Sequence, residues 1–228
     1  MIKFENTEVM NFEGAFRGMR NPLNSWDKSD SVHCTLNDYG HCVGCDLDGF
    51  CTTKHGANEF VIGQKDLDLA QRLIKAGSDH RKFLRQIFVS VDITAPLYWW
   101  KEFDTYKVAT VSNSCSTMHK IHDKEFTIDD FSHEYLTPGG LDVLSDLIYE
   151  LNFNRKWFVA EKNKDFWWNM IQLLPTSYNQ RRTITLNYET LRNIYGSRRN
   201  HKLDEWSVGF MEWIDSLPYS EELIKYEI

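Results

Sequence analysis

The sequence predicts an α+β protein. The stretch "IFVSVDI" (87–93) alternates apolar and polar residues and is rich in β-branched side chains, and "RRTITLN" (181–187) is a second segment of the same kind; a period of two is the mark of a half-buried strand. Several longer segments carry apolar residues at the three-and-four spacing of an amphipathic helix. Strands and helices do not alternate in a regular βαβ rhythm, which sets the chain apart from the parallel α/β class.

Taken in order, "TEVMNFEGAF" reads as a strand ending at Gly14. From Arg17 to about Gly56 the chain is rich in Asn, Asp, Ser, Gly, His and Cys and has little periodicity, as in a long loop or insertion. "KDLDLAQRLIKAG" places Leu67, Leu69, Ala70, Leu73 and Ile74 on a helical face closed by Gly77. "SDHRKFLRQ" adds a helical turn or two before the strand at 87–93. Pro96 opens a helix through "LYWWKEFDTYK", since proline is tolerated in the first helical turn. Asp129 and Asp130 belong to an acidic, solvated connection. Pro138 precedes a helix from about Gly140 to Glu161, with Leu141, Leu144, Ile148 and Leu151 on one stripe. "DFWWNMIQLL" is a short helix stopped by Pro175, "YETLRNIYGSRR" a helix continuing the second strand, and a last helix runs from about Leu203 to Leu217.

Composition narrows the function. The chain has 228 residues, enough for one domain with a sizeable core, and a single domain spanning 1–228 with a Cys-rich insertion at about 30–58 is expected. A formal charge of −7 argues against general nucleic-acid binding. No run of about 18 apolar residues exists to span a membrane. The opening "MIKFENTEVM" has charges where a signal peptide needs an apolar stretch, so a cytoplasmic protein is expected. Four of the five cysteines fall between Cys34 and Cys51, and without an export signal their default state is the thiol.

Three segments, in order, resemble the ThyX-type flavin-dependent thymidylate synthases. "LLPTSYNQRRTITLNYETLRNIYGSRR…LDEW" follows one family signature, with Leu174, Pro175, Thr185, Asn187, Leu191, Asn193, Arg198 and Trp206 in step. "VSVDITAPLYWWKEFDTYK" is similar to the strand and helix that lead to the family's RHR, and "AGSDHRKFLRQ" to its GHxSxxEH segment, with His80 as the first His. Together they cover roughly half of the chain. The departures are specific. RHR becomes Thr105-Tyr106-Lys107, the family's NExSxRY loop becomes "SNSCSTM" or, with one inserted residue, "NSCSTMH", and the Arg of NxRSL is Glu189.

The resemblance implies a ThyX-like fold, a mixed sheet flanked by helices, and a homotetramer with sites between subunits. It implies FAD as cofactor, dUMP or a related pyrimidine deoxynucleotide as substrate, and methylenetetrahydrofolate and NADPH as co-substrates. By the same resemblance Asn187 and Asn193 contact the flavin, and Arg198, or Arg199 under a shifted alignment, polarises the pyrimidine. A fixed cation there stabilises negative charge developing on the ring. Asn187 and Arg198 are eleven residues apart, which returns them to within about 20° on a helix.

The residues add their own readings. His80, Arg81, Lys82 and Arg85 form a basic cluster that suits dinucleotide phosphates, with Lys107 able to join it; a solvated helix face is the alternative. Asn113, Ser114 and Ser116 lie in a hydroxyl-rich loop whose side chains and backbone N–H groups suit a nucleotide phosphate. That loop has lost the charged Glu and Arg of the family, so a non-catalytic nucleotide-binding protein on the same scaffold is the rival expectation. Cys34, Cys42, Cys45 and Cys51 include a CxxC pair able to wrap a tetrahedral Zn²⁺, and reduced loop thiols are the alternative.

Overall fold

A computed structural model describes residues 2–34 and 60–228. The N-terminal elements are β1 (Lys3–Met10), α1 (Phe12–Met19), short 3-10 turns at Asn21–Leu23 and Trp26–Lys28, β2 (Val32–His33), β3 (Phe60–Val61) and α2 (Gln64–Lys75). A 3-10 turn (Lys82–Gln86) leads into β4 (Phe88–Pro96), followed by α3 (Leu97–Phe103), β5 (Val111–Ser114), α4 (Thr117–Lys120), a turn at Ile128–Asp130, α5 (Pro138–Glu161) and α6 (Lys164–Leu173). The C-terminal part holds β6 (Asn179–Asn187), α7 (Tyr188–Arg198), a π-helical turn (Glu205–Phe210), α8 (Met211–Asp215) and a second π-helical turn (Ser220–Ile224). The fold is α+β, with a four-stranded sheet in the order β1-β4-β6-β5 and a separate β2–β3 pair.

The chain divides into two compact units. One comprises residues up to Glu8, Ser90–Leu186 and Ser197–Trp213; the other comprises the described part of Val9–Val89, with Asn187–Gly196 and Ile214–Ile228.

The first unit holds most of the sheet. β4 alternates as its sequence requires: Val91, Ile93 and Ala95 are fully buried, with half-buried positions between them. After Pro96, α3 buries Trp99, Trp100 and Phe103. These rings meet Trp206 and Phe210 of the π-helical turn, with Trp99 and Trp206 centroids 4.5 Å apart and Trp99 and Phe103 stacked at 5.0 Å. Such aromatic pairs contribute about 0.5–1.5 kcal/mol each beyond their buried area. A second cluster joins Ile121, Phe126 and Phe131 to Leu144, Leu151 and Met170, where α5 packs on α6. α5 starts at Thr137, whose hydroxyl accepts from the Gly140 N–H, and ends at Lys162, whose φ of 57° is left-handed.

The second unit packs Ala15, Phe16 and Met19 of α1 with Ala70 and Ile74 of α2, Phe83, Leu84 and the buried side of α7. α2 ends as expected at Gly77, whose φ of 105° is a conformation in which a Cβ is strained. Beneath it Asp66, fully buried, pairs with Arg20 at 2.5 Å and accepts from the Ser29 and Ser31 hydroxyls.

Two expected elements differ. The first strand stops at Met10 rather than Gly14, because Asn11 takes a left-handed φ of 71° and the chain enters α1, so Arg17 is helical instead of in a loop. The hydroxyl-rich segment is not one loop. Val111–Ser114 pairs antiparallel with β6, in the register Val111↔Thr185 to Ser114↔Arg182, and Thr117–Lys120 is a helical turn.

Candidate functional site

In the first unit, the end of α3 and the end of α7 bring together Glu102, Tyr106, Arg198, His201 and Trp206. Arg198 donates from Nε to the Tyr106 hydroxyl at 2.8 Å and from Nη1 to Glu102 Oε2 at 2.7 Å. Its guanidinium carbon lies 5.1 Å from the Trp206 ring centre and 5.6 Å from that of Tyr106, within cation–π range. Glu102 Oε2 also accepts from Trp206 Nε1 at 3.1 Å and lies 3.3 Å from His201 Nε2. Because His201 Nδ1 accepts from the Leu203 N–H, Nε2 is the nitrogen that carries the proton in the neutral ring. One carboxylate oxygen thus accepts two hydrogen bonds with the His201 ring beside it, and the guanidinium is held near two rings. Arg198 Nη2 has no hydrogen-bond partner among the described residues, so one edge of the fixed cation remains available to a carbonyl or phosphate oxygen.

The other sequence-identified residues of this unit sit differently. Lys107 is exposed just past Tyr106, and Arg199 is exposed just past the end of α7. Asn113 and Ser114 are exposed on the edge strand β5. Ser116 caps α4, accepting from the His119 N–H at 3.1 Å. Ser114 pairs in register with Arg182, whose guanidinium lies 4.2 Å over the Trp100 ring and 2.8 Å from Asp104.

In the second unit the basic cluster divides. Arg81 makes a two-oxygen pair with Glu189 through Nε, at 2.9 and 3.1 Å, and Arg85 donates to the Ser78 carbonyl. The turn is tied to the start of α7 again where the Tyr188 N–H donates to the Ile87 carbonyl at 3.1 Å. The structure therefore brings Arg81 to the start of α7, beside Asn187 in sequence, while His80 lines a separate cavity. Asn187 is buried, and its Oδ1 accepts from the Thr190 N–H at 2.9 Å, which caps α7. Asn193 is exposed further along the helix. Arg192 is buried and donates to the Ile224 and Tyr226 carbonyls; burial, then the nearby charge of Arg81, lowers its pKa. Burial likewise pushes the Tyr188 hydroxyl far up.

His80 and Lys82 lie on the rim of a cavity of ≈ 530 Å³ whose walls are Met19, Leu69, Leu73 and Phe83. That volume is in the range of small-molecule sites.

Sequence reasoning missed Glu102, His201 and the Glu189 partner of Arg81. The spacing of Glu102 and Tyr106, four residues apart at a helix end, was the available signal for the first.

Of the four proposed metal ligands, Cys34 is buried, and Cys42, Cys45 and Cys51 lie outside the described residues. Among the described residues no group of three or more His, Cys, Asp or Glu is placed to hold a metal ion, and no helix is long and apolar enough to cross a membrane.

No protein-family model matches the chain, and no curated protein matches it. Solved structures do. A thymidylate synthase X (ThyX) from Helicobacter pylori, with FAD and dUMP, superposes with a TM-score of 0.66 over 100% of both chains, at 15% identity. A second structure, of flavin-dependent thymidylate synthase ThyX from the same organism complexed with FAD and dUMP, gives 0.64 over 98% of both chains at 16% identity. The fold of the chain is ThyX-like along its whole length.

Proposed function

We propose that the chain binds FAD and a pyrimidine deoxynucleotide such as dUMP and catalyses reductive one-carbon transfer to the pyrimidine, with methylenetetrahydrofolate as the carbon donor. The observation that carries this reading is the full-length likeness to a synthase solved with FAD and dUMP. The residues fit a flavin: Asn187 is a buried side chain whose amide nitrogen donates to no described group, and the ≈ 530 Å³ cavity has His80 and Lys82 on its rim. Asn187 would hold the flavin ring, and His80 and Lys82 its phosphates. When bound, the flavin supplies hydride, with NADPH as the reductant that restores it.

Arg198 is the cation for the pyrimidine. Its Nη1 and Nε are fixed by Glu102 and Tyr106, so Nη2 is presented to a ring oxygen without reorganisation, the condition under which a hydrogen bond stabilises developing charge most effectively. Asn113, Ser114 and Ser116 supply neutral donors near the phosphate in place of the family's charged loop. The assembly proposed is a homotetramer, supported by the exposed aromatic stripe Tyr149, Phe153 and Trp157 on α5.

The test is the visible absorption of the purified protein, followed by assay of dUMP methylation with methylenetetrahydrofolate and NADPH. Bound flavin with product formation is expected; absence of flavin and of any affinity for FAD would sink the reading. One observation favours a second reading, a nucleotide-binding protein without turnover: both arginines assigned to ligands, Arg81 and Arg198, already have a carboxylate of the same chain at 2.9 and 2.7 Å. Nucleotide binding by calorimetry with no turnover would select it.

A further inference from the structure

We propose that the cavity beneath the π-helical turn of the first unit binds an aliphatic polyamine. The cavity measures ≈ 660 Å³ and has apolar walls formed by Ile2, Phe4, Val208 and Trp213. Around these walls stand the carboxylates of Asp204, Glu205 and Glu212, while Glu134 in the same lining already has a partner; among the described lining residues the cation is Lys3, itself 2.9 Å from Glu5, which does not line the cavity.

Glu205 is the central observation. It is 8% exposed, and its hydrogen bond comes from a neutral donor, the Tyr98 hydroxyl, to Oε1. Oε2 receives no hydrogen bond among the described residues, and no described cation pairs with the group. A buried carboxylate with no counter-charge is costly unless a cation reaches it. Asp204 and Glu212 are exposed carboxylates at the rim; among the described residues Asp204 accepts from the Tyr135 hydroxyl and Glu212 has no partner. Burial, then the Glu205 carboxylate, push the Tyr98 hydroxyl well above its ordinary value, so it stays a neutral donor.

The chemistry of the lining chooses among cations. A metal ion needs several ligands converging on one point, and no such group exists among the described residues; the apolar walls also offer nothing to a hydrated ion. An ammonium on a methylene chain suits both features, its charge at Glu205 and its chain along Phe4 and Trp213, whose rings stack at 4.9 Å and attract cations. Glu205 and Glu212 are seven residues apart along the π-helical turn and α8, and two carboxylates on one wall favour a ligand with more than one ammonium. The π-helical turn, an irregularity common at functional sites, carries Glu205, Val208 and Gly209 into the lining. None of these residues takes part in the proposed flavin or nucleotide site, so the inference stands independently of that reading.

The test is calorimetric titration of the full chain with spermidine at fixed ionic strength, with Mg²⁺ as the comparison cation. One spermidine per chain is expected, with Mg²⁺ giving no saturable heat. Glu205→Gln is expected to weaken binding about tenfold or more, the effect of removing a buried charged acceptor, and the rim variant Glu212→Gln to weaken it by a smaller factor. Equal heats for Mg²⁺ and spermidine, or wild-type spermidine affinity in a folded Glu205→Gln protein, overturn the proposal. If Glu205→Gln does not fold, unchanged affinity in Glu212→Gln overturns it, and weakened affinity supports it. Tight capture of a lysine-rich peptide with no response to spermidine also counts against it.

Discussion

Arg198 and Arg20 show two uses of the same ion pair. Arg198 is half-buried, flanked by rings and held by Glu102, with one edge unpartnered among the described residues. If that edge meets the pyrimidine, Arg198→Lys, which keeps the charge but loses the planar fork, lowers kcat about 10²–10³-fold with little change in the melting midpoint. Equal loss of both would make the residue structural. Arg20 lies in the interior with Asp66, and Arg20→Ala leaves a buried carboxylate unpaired, which costs about 3–5 kcal/mol, read in urea denaturation. The pH dependence of the same pair has a definite sign. Burial raises the Asp66 carboxyl, but hydrogen bonds from Ser29, Ser31 and Arg20 outweigh it, so its folded pKa is depressed. Its contribution is present above the unfolded value of about 3.9 and is lost as pH falls through the folded one, so denaturation midpoints should decline in acid and Arg20→Ala should flatten that decline. Arg198 was legible in the sequence because a spaced set of residues leads to it. Glu102 was not: in "WWKEFD" nothing distinguishes it from a solvated helix glutamate until the fold closes over it.

At the scale of elements, the cap of α7 and the proposed flavin contact fall on one residue, Asn187. Asn187 caps α7 through Oδ1, and its amide nitrogen donates to no described group. Asn187→Ala is expected to cost about 1 kcal/mol together with flavin affinity, whereas Asn187→Ser keeps a capping oxygen and loses the flavin donor alone. Unchanged flavin affinity in the serine variant would remove Asn187 from the site. Leu151, fully buried where α5 meets α6, should cost about 2–5 kcal/mol as Leu151→Ala. The strands and helices with a buried face were legible, β4 by its alternation and α2 by its stripe and Gly77. β5 was not, because all four of its residues are exposed at the sheet edge and carry no alternation. α1 was hidden for another reason: its boundary depends on the left-handed Asn11, a backbone choice that hydrophobic pattern does not encode.

For the whole molecule, the ThyX-like fold is matched over the full length at 15% identity, so the likeness lies in the fold. The altered segments at Thr105–Lys107 and Asn113–Ser116 lie where the sequence resemblance weakens, so the scaffold was legible and the ligand was not. An assembly built through α5 predicts that Tyr149→Glu with Phe153→Glu converts a tetramer to smaller species in light scattering, since charge on an exposed aromatic stripe opposes its burial. Flavin is the hinge of the account. The most direct measurement is FAD titration of purified protein, followed by its visible spectrum with and without dUMP. Saturable FAD binding, with a spectral change on adding dUMP, is the predicted result. No saturable FAD binding, in a folded protein, would contradict it.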